Sequence, residues 1–379
     1  MNEQQTELRV SNLELFFDLV FVFTITQLTA LVENSSSFIG VAKALLIFVV
    51  MFWMYAGYAW LTNQVPPRST SRRLLIVGGM AAFLTCALAI PRAFDESALA
   101  FAVGYALVVL VHSGLYAQVY RSAVWRFVPM NLAGVGFLMG AAFVEGWERY
   151  ALWSGTLILH LVASALASRV GESQSSGYHV HAGHFVERHG LLLIIAFGES
   201  VVAIGIALSR VKLVPAVYVA AVLGLVLVAT LWWSYFMADQ ELSEEILTAA
   251  PLKRRVRLAL HGYFYAYMPI LFGIVVLSAG LGHAVENITE HLPVKYAVLL
   301  GGGAALFLIG TAVFRLIFGI RPVGIRFAAA AAAVAAIPAG ILISGLAQTG
   351  FLLGVMVVMI AIERRRVRKL AKPEQEPQK

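Results

Sequence analysis

Three carboxylates fall where an apolar chain tolerates them least. Glu14 and Asp18 lie in LELFFDLVFVFTITQLTALV, and Glu199 lies in the apolar run Leu191–Ile206 of HFVERHGLLLIIAFGESVVAIG. A four-residue spacing puts Glu14 and Asp18 on one face of a helix, about 6 Å apart along its axis. Two carboxylates that close repel when both are ionised, unless a cation or a basic group comes between them. That is the chemistry of proton or cation exchange. Glu199 sits in a run long enough to lie inside a bilayer, where an ionisable side chain costs on the order of 2–4 kcal/mol. It must find a hydrogen-bond partner, carry a proton, or serve a pocket or relay. Thr24, Thr26 and Gln27 continue the polar side of the first segment, and Ser200 follows Glu199 in the second.

Each of these residues has a plainer reading. Glu14 alone is equally an interfacial acid at a helix N-terminus, where the macrodipole favours it. Asp18, one turn deeper among Phe and Leu, fits that reading less well. Glu199 could act only as hydrogen-bonding glue between helices. Glu187, Arg188 and His189 open the second segment and read equally as an ion pair or a snorkelling group at its mouth. Arg188 lies about 16 Å before Glu199 along one helix, out of its reach. Gly198 and Gly205 flank Glu199 and would let a neighbouring backbone approach closely.

His112, His160 and Asn131 fall inside apolar segments, either as partners for the acids or as packed core groups. His179, His181, His184 and His189 have no cysteine or acid at metal-site spacing, so a solvated loop is expected rather than a metal centre. Trp53, Tyr55, Tyr58, Trp60, Trp232, Trp233 and Tyr235 cluster late in two segments and fit an aromatic belt and packing better than a substrate cage. Asn63, Gln64, Asp239 and Gln240 close those segments and are expected at the interface.

Composition decides the broad class. Hydrophobic residues make up 60% of the 379 positions, charged residues 13%, and the mean hydropathy is +0.81. A soluble chain carries about a quarter charged residues, so a polytopic membrane protein is expected. The net charge of +7 gathers in short loops and in the tail segment RRRVRKLAK, which has no interleaved aromatics. That pattern fits anionic lipid headgroups, not nucleic acid. Cys86 is the single cysteine, which excludes a disulfide framework. MNEQQTELRV is acidic and polar, so no signal peptide is expected and the first helix should be retained.

Helices long enough to span a bilayer, about 20 apolar residues each, are expected at Leu13–Val32, Phe38–Leu61, Leu74–Ile90, Ser97–Tyr120, Val124–Val144 and Ala151–Val170. The series resumes at Phe185–Leu208, Val214–Ala238, Leu258–Leu281, Val294–Phe314, Ile325–Ser344 and Ala347–Ile362. The last two are joined by a very tight turn at Gly345, Gln348 and Gly350, which leaves a re-entrant pair open. With both termini cytoplasmic, 22 of the 28 basic residues fall inside, among them Arg72, Arg73, Arg121, Arg126, Arg169, Lys253, Arg315, Arg321 and Arg326. So strong a bias supports twelve helices with the N- and C-termini inside.

The two acid-bearing segments also look like divergent copies. Glu14 matches Glu187 at an offset of 173, and Trp53-Met-Tyr55 matches Trp233-Ser-Tyr235 at 180. Six helices per copy is an even number, so the halves would be parallel repeats about an axis along the membrane normal, as in several transporter folds. The expected organisation is a first repeat at 1–170, a polar cytoplasmic linker at 171–184, a second repeat at 185–362 and a basic cytoplasmic tail at 363–379.

LELFFDLVFVFTITQLT and HFVERHGLLLIIAFGESVVAIG resemble the two hallmark segments of the bacterial low temperature requirement A (LtrA) family. The Trp-x-Tyr segments and the hydrophobic profile extend the resemblance over most of the chain. It implies a multi-spanning protein of the bacterial inner membrane, linked by its name to growth in the cold. The family's acidic, basic and small positions correspond here to Glu14, Asp18, Glu187, Arg188, Gly190, Gly198, Glu199 and Ser200.

No phosphate loop, His-Glu-x-x-His or nucleophile elbow occurs, so neither a soluble-type enzyme nor a cofactor is expected. Gly301, Gly302 and Gly303 lie in an apolar helix and read as close packing. The expected function is a proton- or cation-coupled secondary transporter of a small solute. Its pathway would use Glu14, Asp18, Gln27, Glu187, Arg188, Glu199 and Ser200. A cation channel and a lipid-handling enzyme using Glu199 as acid or base are the alternatives.

Overall fold

A computed structural model of the chain describes residues 9–118, 121–171, 180–212, 214–287 and 289–370, with the side chains of 121–127, 163–171 and 367–370 outside the description. His179 and most of the expected linker therefore lie outside the described residues, as does the tail beyond 370 and the side chains of Arg121, Arg126 and Arg169. The described residues form helices and no strands. In order they are α1 (Asn12–Asn34), α2 (Ile39–Gln64), α3 (Thr70–Ala89), α4 (Ala98–Ala117), α5 (Arg121–Ala142), α6 (Gly146–Gly171) and α7 (Ala182–Ser209). There follow α8 (Pro215–Phe236), α9 (Asp239–Ala249), α10 (Leu252–Leu260), α11 (Tyr267–Glu286), α12 (Val294–Phe318), α13 (Gly324–Ala335), α14 (Ile337–Leu342) and α15 (Gly345–Leu370). Among the described residues ten helical stretches are long and apolar enough to cross a membrane. The expected spans at Val124–Val144 and Ala151–Val170 are occupied by α5 and α6.

Apolar residues such as Leu88, Leu110, Val222 and Val358 stay exposed, while Asp18, Arg326 and Asp239 are fully buried. That inversion of a soluble protein suits a molecule whose outer surface meets lipid and whose polar groups must be satisfied inside. The chain divides into two compact units, one of Met1–Glu199 with Glu244–Phe264 and one of Ser200–Ser243 with Tyr265–Lys379.

Three boundaries differ from expectation. The eighth helix continues almost unbroken through α9, a stretch of 35 residues ending at Ala249, because DQELSEEILTA is polar but amphipathic and carries helix-forming Glu and Leu. The ninth begins earlier, at Leu252, and passes through a π-helical turn at His261–Ala266 before α11. The eleventh is broken into α13 and α14 beside Pro338, whose ring cannot continue the backbone ladder. α14 and α15 are separated only by Ile343 and Ser344, and both flanking stretches are long enough to span. The turn is pinned by Leu292 N–H donating to Gly340 O at 2.9 Å and Gly345 N–H donating to Glu290 O at 3.2 Å.

Glycines bring α11 and α12 together. A Cβ on Gly273 would stand 2.6 Å from Phe307 N, and one on Gly310 would stand 2.7 Å from Ile270 Cγ1. Further along, Gly303 meets the backbone of Leu277 and Gly280 that of Leu300, so the helices run antiparallel almost in backbone contact. Gly301 packs on Ile337 and Ala333, whereas a Cβ on Gly302 would meet nothing within 4 Å. Small residues at such crossings supply van der Waals packing where the hydrophobic effect cannot. Gly303→Leu should therefore destabilise the protein by about 1–3 kcal/mol or more by overpacking, while Gly302→Leu should melt close to the parent. Equal melting of the two variants in detergent would contradict this packing.

Candidate functional site

The site begins with a helix cap. Ser11 precedes α1, its Oγ accepts from Glu14 N–H at 3.4 Å, and Glu14 Oε2 accepts from Ser11 N–H at 3.0 Å and from its hydroxyl at 2.8 Å. This is a capping box, and it fixes the rotamer of Glu14. The Ser-x-x-Glu spacing carries that signal in the sequence, and a reading based on the macrodipole alone overlooks it.

Arg188 of α7 reaches into this corner and does not snorkel. It is 2% exposed, because its guanidinium finds two carboxylates on α1 and has no need of water. Nη1 donates to Glu14 Oε1 at 3.2 Å, while Nε and Nη2 donate to Asp18 Oδ1 at 3.3 and 3.0 Å. Nη1 also donates to Thr62 Oγ1 of α2. The rings of Phe17 and Tyr55 flank the guanidinium, each 5.8 Å away. Tyr55 is fully buried and its hydroxyl donates to Asp18 Oδ1 at 2.9 Å, so it belongs to the core and not to an interfacial belt. Tyr58 is likewise buried, donating to Val108 O at 3.0 Å.

His184 completes the cluster. Asn63 Oδ1 accepts from His181 N–H at 3.1 Å, which orients the amide so that Nδ2 lies 3.0 Å from His184 Nδ1. The imidazole Nδ1 is then the acceptor, and Nε2–H donates to Glu14 at 3.2–3.3 Å. Asn63, expected at the interface, is 1% exposed because it ties α2 to the start of α7. The solvated-loop expectation also fails for His184 and His189, both buried, because α7 begins at Ala182 and carries them inward. Among the described residues no group of three His, Cys, Asp or Glu is arranged to hold a metal ion. Half-buried Glu187 accepts from Val10 N–H at 3.2 Å, tying α7 to the strand of chain before α1.

Further along the same pair of helices, Thr26 Oγ1 lies 2.5 Å from Glu199 Oε2, and Glu199 is 5% exposed. Glu33, two turns beyond Thr26, lies within electrostatic range of it. Numbers rise together along the contacts of Glu14 with His184 and Arg188, Asp18 with Arg188, and Thr26 with Glu199. α1 and α7 therefore run parallel. Asp18 and Thr26 are about 12 Å apart along α1, with buried Phe21, Val22, Thr24 and Ile25 between them on that helix. The seam thus has two polar stations, one at Glu14, Asp18 and Arg188 and one at Thr26 and Glu199.

Other expected site residues lie elsewhere. Gln27 is half-buried on α1. Ser200 Oγ is 2.8 Å from Ser278 Oγ, both fully buried. His112 packs on Gly57 and Tyr58, and His160 lies flat on Trp53 at 4.6 Å with Tyr105 OH 3.3 Å from its Nε2. Asn131 Oδ1 accepts from Trp53 Nε1 at 3.2 Å. The structure does not bring these three to the acids. Gly198 and Gly205 each have nothing within 4 Å of a built Cβ, so the expected close approach is not made there.

A second buried charge cluster, absent from the sequence reading, stands in the other unit. Arg315 donates to Asp239 Oδ1 and Glu363 Oε1, both at 2.8 Å. Arg326 donates to Asp239 Oδ2 at 2.6 Å, to Glu363 Oε1 at 3.0 Å and to Ser234 O at 2.6 Å. Two cations and two anions cancel, and all four carboxylate oxygens are bonded. Asp239 is therefore a buried structural group and not an interfacial one.

An all-helical, multi-spanning membrane protein with buried carboxylates is the class that fold and site define. The profile described as "Bacterial low temperature requirement A protein (LtrA)" matches residues 9–361, and the chain belongs to that family. It is also similar to an uncharacterized protein of Rhizobium meliloti (strain 1021), 26% identical over 327 residues that cover 82% of this chain and 78% of the other. No solved structure matches.

Proposed function

We propose that the protein is a proton- or cation-coupled secondary transporter of a small solute, with its ion pathway along the α1–α7 seam. The observation that carries this reading is the parallel pairing of two helices that bury Glu14, Asp18 and Arg188 at one height and Glu199 at another. Parallel α1 and α7 are what two parallel six-helix repeats, 1–170 and 185–362, would produce. Twelve spans with both termini cytoplasmic, in the bacterial inner membrane, complete the proposed topology. The basic tail would then meet anionic headgroups.

Glu199→Gln tests the reading. The amide keeps the size and accepts from Thr26, so insertion and melting should stay near the parent, an interhelical hydrogen bond in a membrane being worth about 0.6–2 kcal/mol. It cannot ionise. A melting-temperature screen of inorganic cations, amino acids and amines across pH should find ligands whose binding depends on pH in the parent and not in the variant. The same pH dependence in both would remove Glu199 as a coupling residue.

A further inference from the structure

We propose that Oδ2 of Asp18 is the atom at which the α1–α7 cluster takes up and releases a single proton. An inventory of oxygens singles it out. Glu14 Oε1 receives Arg188 and His184, and Oε2 receives the Ser11 backbone and hydroxyl. Asp18 Oδ1 receives Arg188 twice and Tyr55 once. Asp18 Oδ2 is buried with no hydrogen-bond partner among the described residues, on a residue that is 0% exposed.

Charge points the same way. The titratable and charged groups facing Asp18 are Glu14 on its own helix, Tyr55 on α2 and Arg188 on α7, with His184 behind Glu14. One guanidinium against two carboxylates leaves one negative charge over, in a setting where an uncompensated charge is expensive. The neutral box of Asp239, Arg315, Arg326 and Glu363 has no such excess and no such free oxygen.

The occupant is a proton and not a metal cation. A dehydrated metal ion needs several oxygens at once, whereas the wall beside Asp18 is aromatic: Tyr55 stacks on Phe17 and Phe21 with centroids 6.1 and 4.3 Å apart. A proton needs one lone pair. It arrives from water, forms the O–H bond on Oδ2 and breaks no bond in the protein. Oδ1 keeps accepting from Arg188 and Tyr55, and the cluster passes from one net negative charge to none. Release returns the proton to water. This rests on the carrier reading only for the side of the membrane to which the proton is released.

The chain contains three aspartates, Asp18, Asp95 and Asp239, which makes the proposal measurable by infrared spectroscopy on the full-length protein in lipid nanodiscs. Carboxyl-labelled aspartate should give a shifted carboxylic C=O band that rises as the pH is lowered and falls as it is raised. Asp95→Asn should keep it. Asp18→Asn should lose it while melting near the parent, because the amide oxygen still accepts from Arg188 and Tyr55. Asp18→Glu is the second variant: it keeps the acid but moves the band to the unlabelled position. No labelled band in the parent, or a labelled band surviving in Asp18→Asn or Asp18→Glu, would overturn the proposal. Solute-coupled flux without the labelled band removes Asp18 as the proton site and leaves the carrier standing. The band without solute-coupled flux upholds the proton site and removes the carrier.

Discussion

Arg188→Met should cost about 3–5 kcal/mol, a large share of the stability of a typical fold. Met keeps the apolar stem but ends near the position of Nε, so the charge and the guanidinium beside Phe17 and Tyr55 go together. What remains is two carboxylates on one face of α1, buried to 2% and 0% exposure, with no cation between them. The loss is electrostatic if it reverses when the acids are neutralised. Arg188→Met with Asp18→Asn should recover most of the melting temperature, because Glu14 keeps its cap and His184. A double variant no more stable than Arg188→Met alone would show that the guanidinium matters for shape and not for charge.

Arg326→Met should be comparably severe, again about 3–5 kcal/mol, since it strips one partner from a buried ion-pair network. Arg326 is fully buried and donates to Asp239, Glu363 and Ser234 O. Without it Arg315 faces two carboxylates alone, and the carbonyl of Ser234 loses its donor. The internal comparison is Arg92→Ala. Arg92 pairs with Glu96 at 2.7 Å, yet both are mostly exposed, at 68% and 75%. Such surface pairs contribute little. Melting in detergent should separate the two variants clearly, and equal melting would contradict the role given to the buried box.

These two clusters mark the limit of what was legible in sequence. Membrane helices are legible because the bilayer imposes length and hydropathy on each one separately, and ten of the expected spans fall on helices long and apolar enough to cross. α9 was not, because an amphipathic polar extension resembles a loop once a span has ended. Glu14, Asp18, Arg188 and Glu199 stood out singly as charges in costly places. Their pairing did not, since about 170 residues separate the partners and spacing within a helix says nothing of what lies across from it. The apparent repeat was the one signal that joined their helices, by making the first and seventh counterparts that should face each other. Asp239, Arg315, Arg326 and Glu363 carried no signal at all: charges near helix ends are what topology demands, so four that fold inward look like four that face the cytoplasm.

If buried acids along the α1–α7 seam move protons in step with a solute, the coupling appears as a proton flux. Liposomes holding a pH-sensitive dye and the reconstituted protein test it most directly, with inorganic cations, amino acids and amines offered in turn outside. At least one of these solutes should drive a proton flux with fixed stoichiometry in the parent, and Glu199→Gln, folded and inserted, should abolish it. A solute-driven proton flux of equal size in the Glu199→Gln liposomes would remove Glu199 from the coupling path.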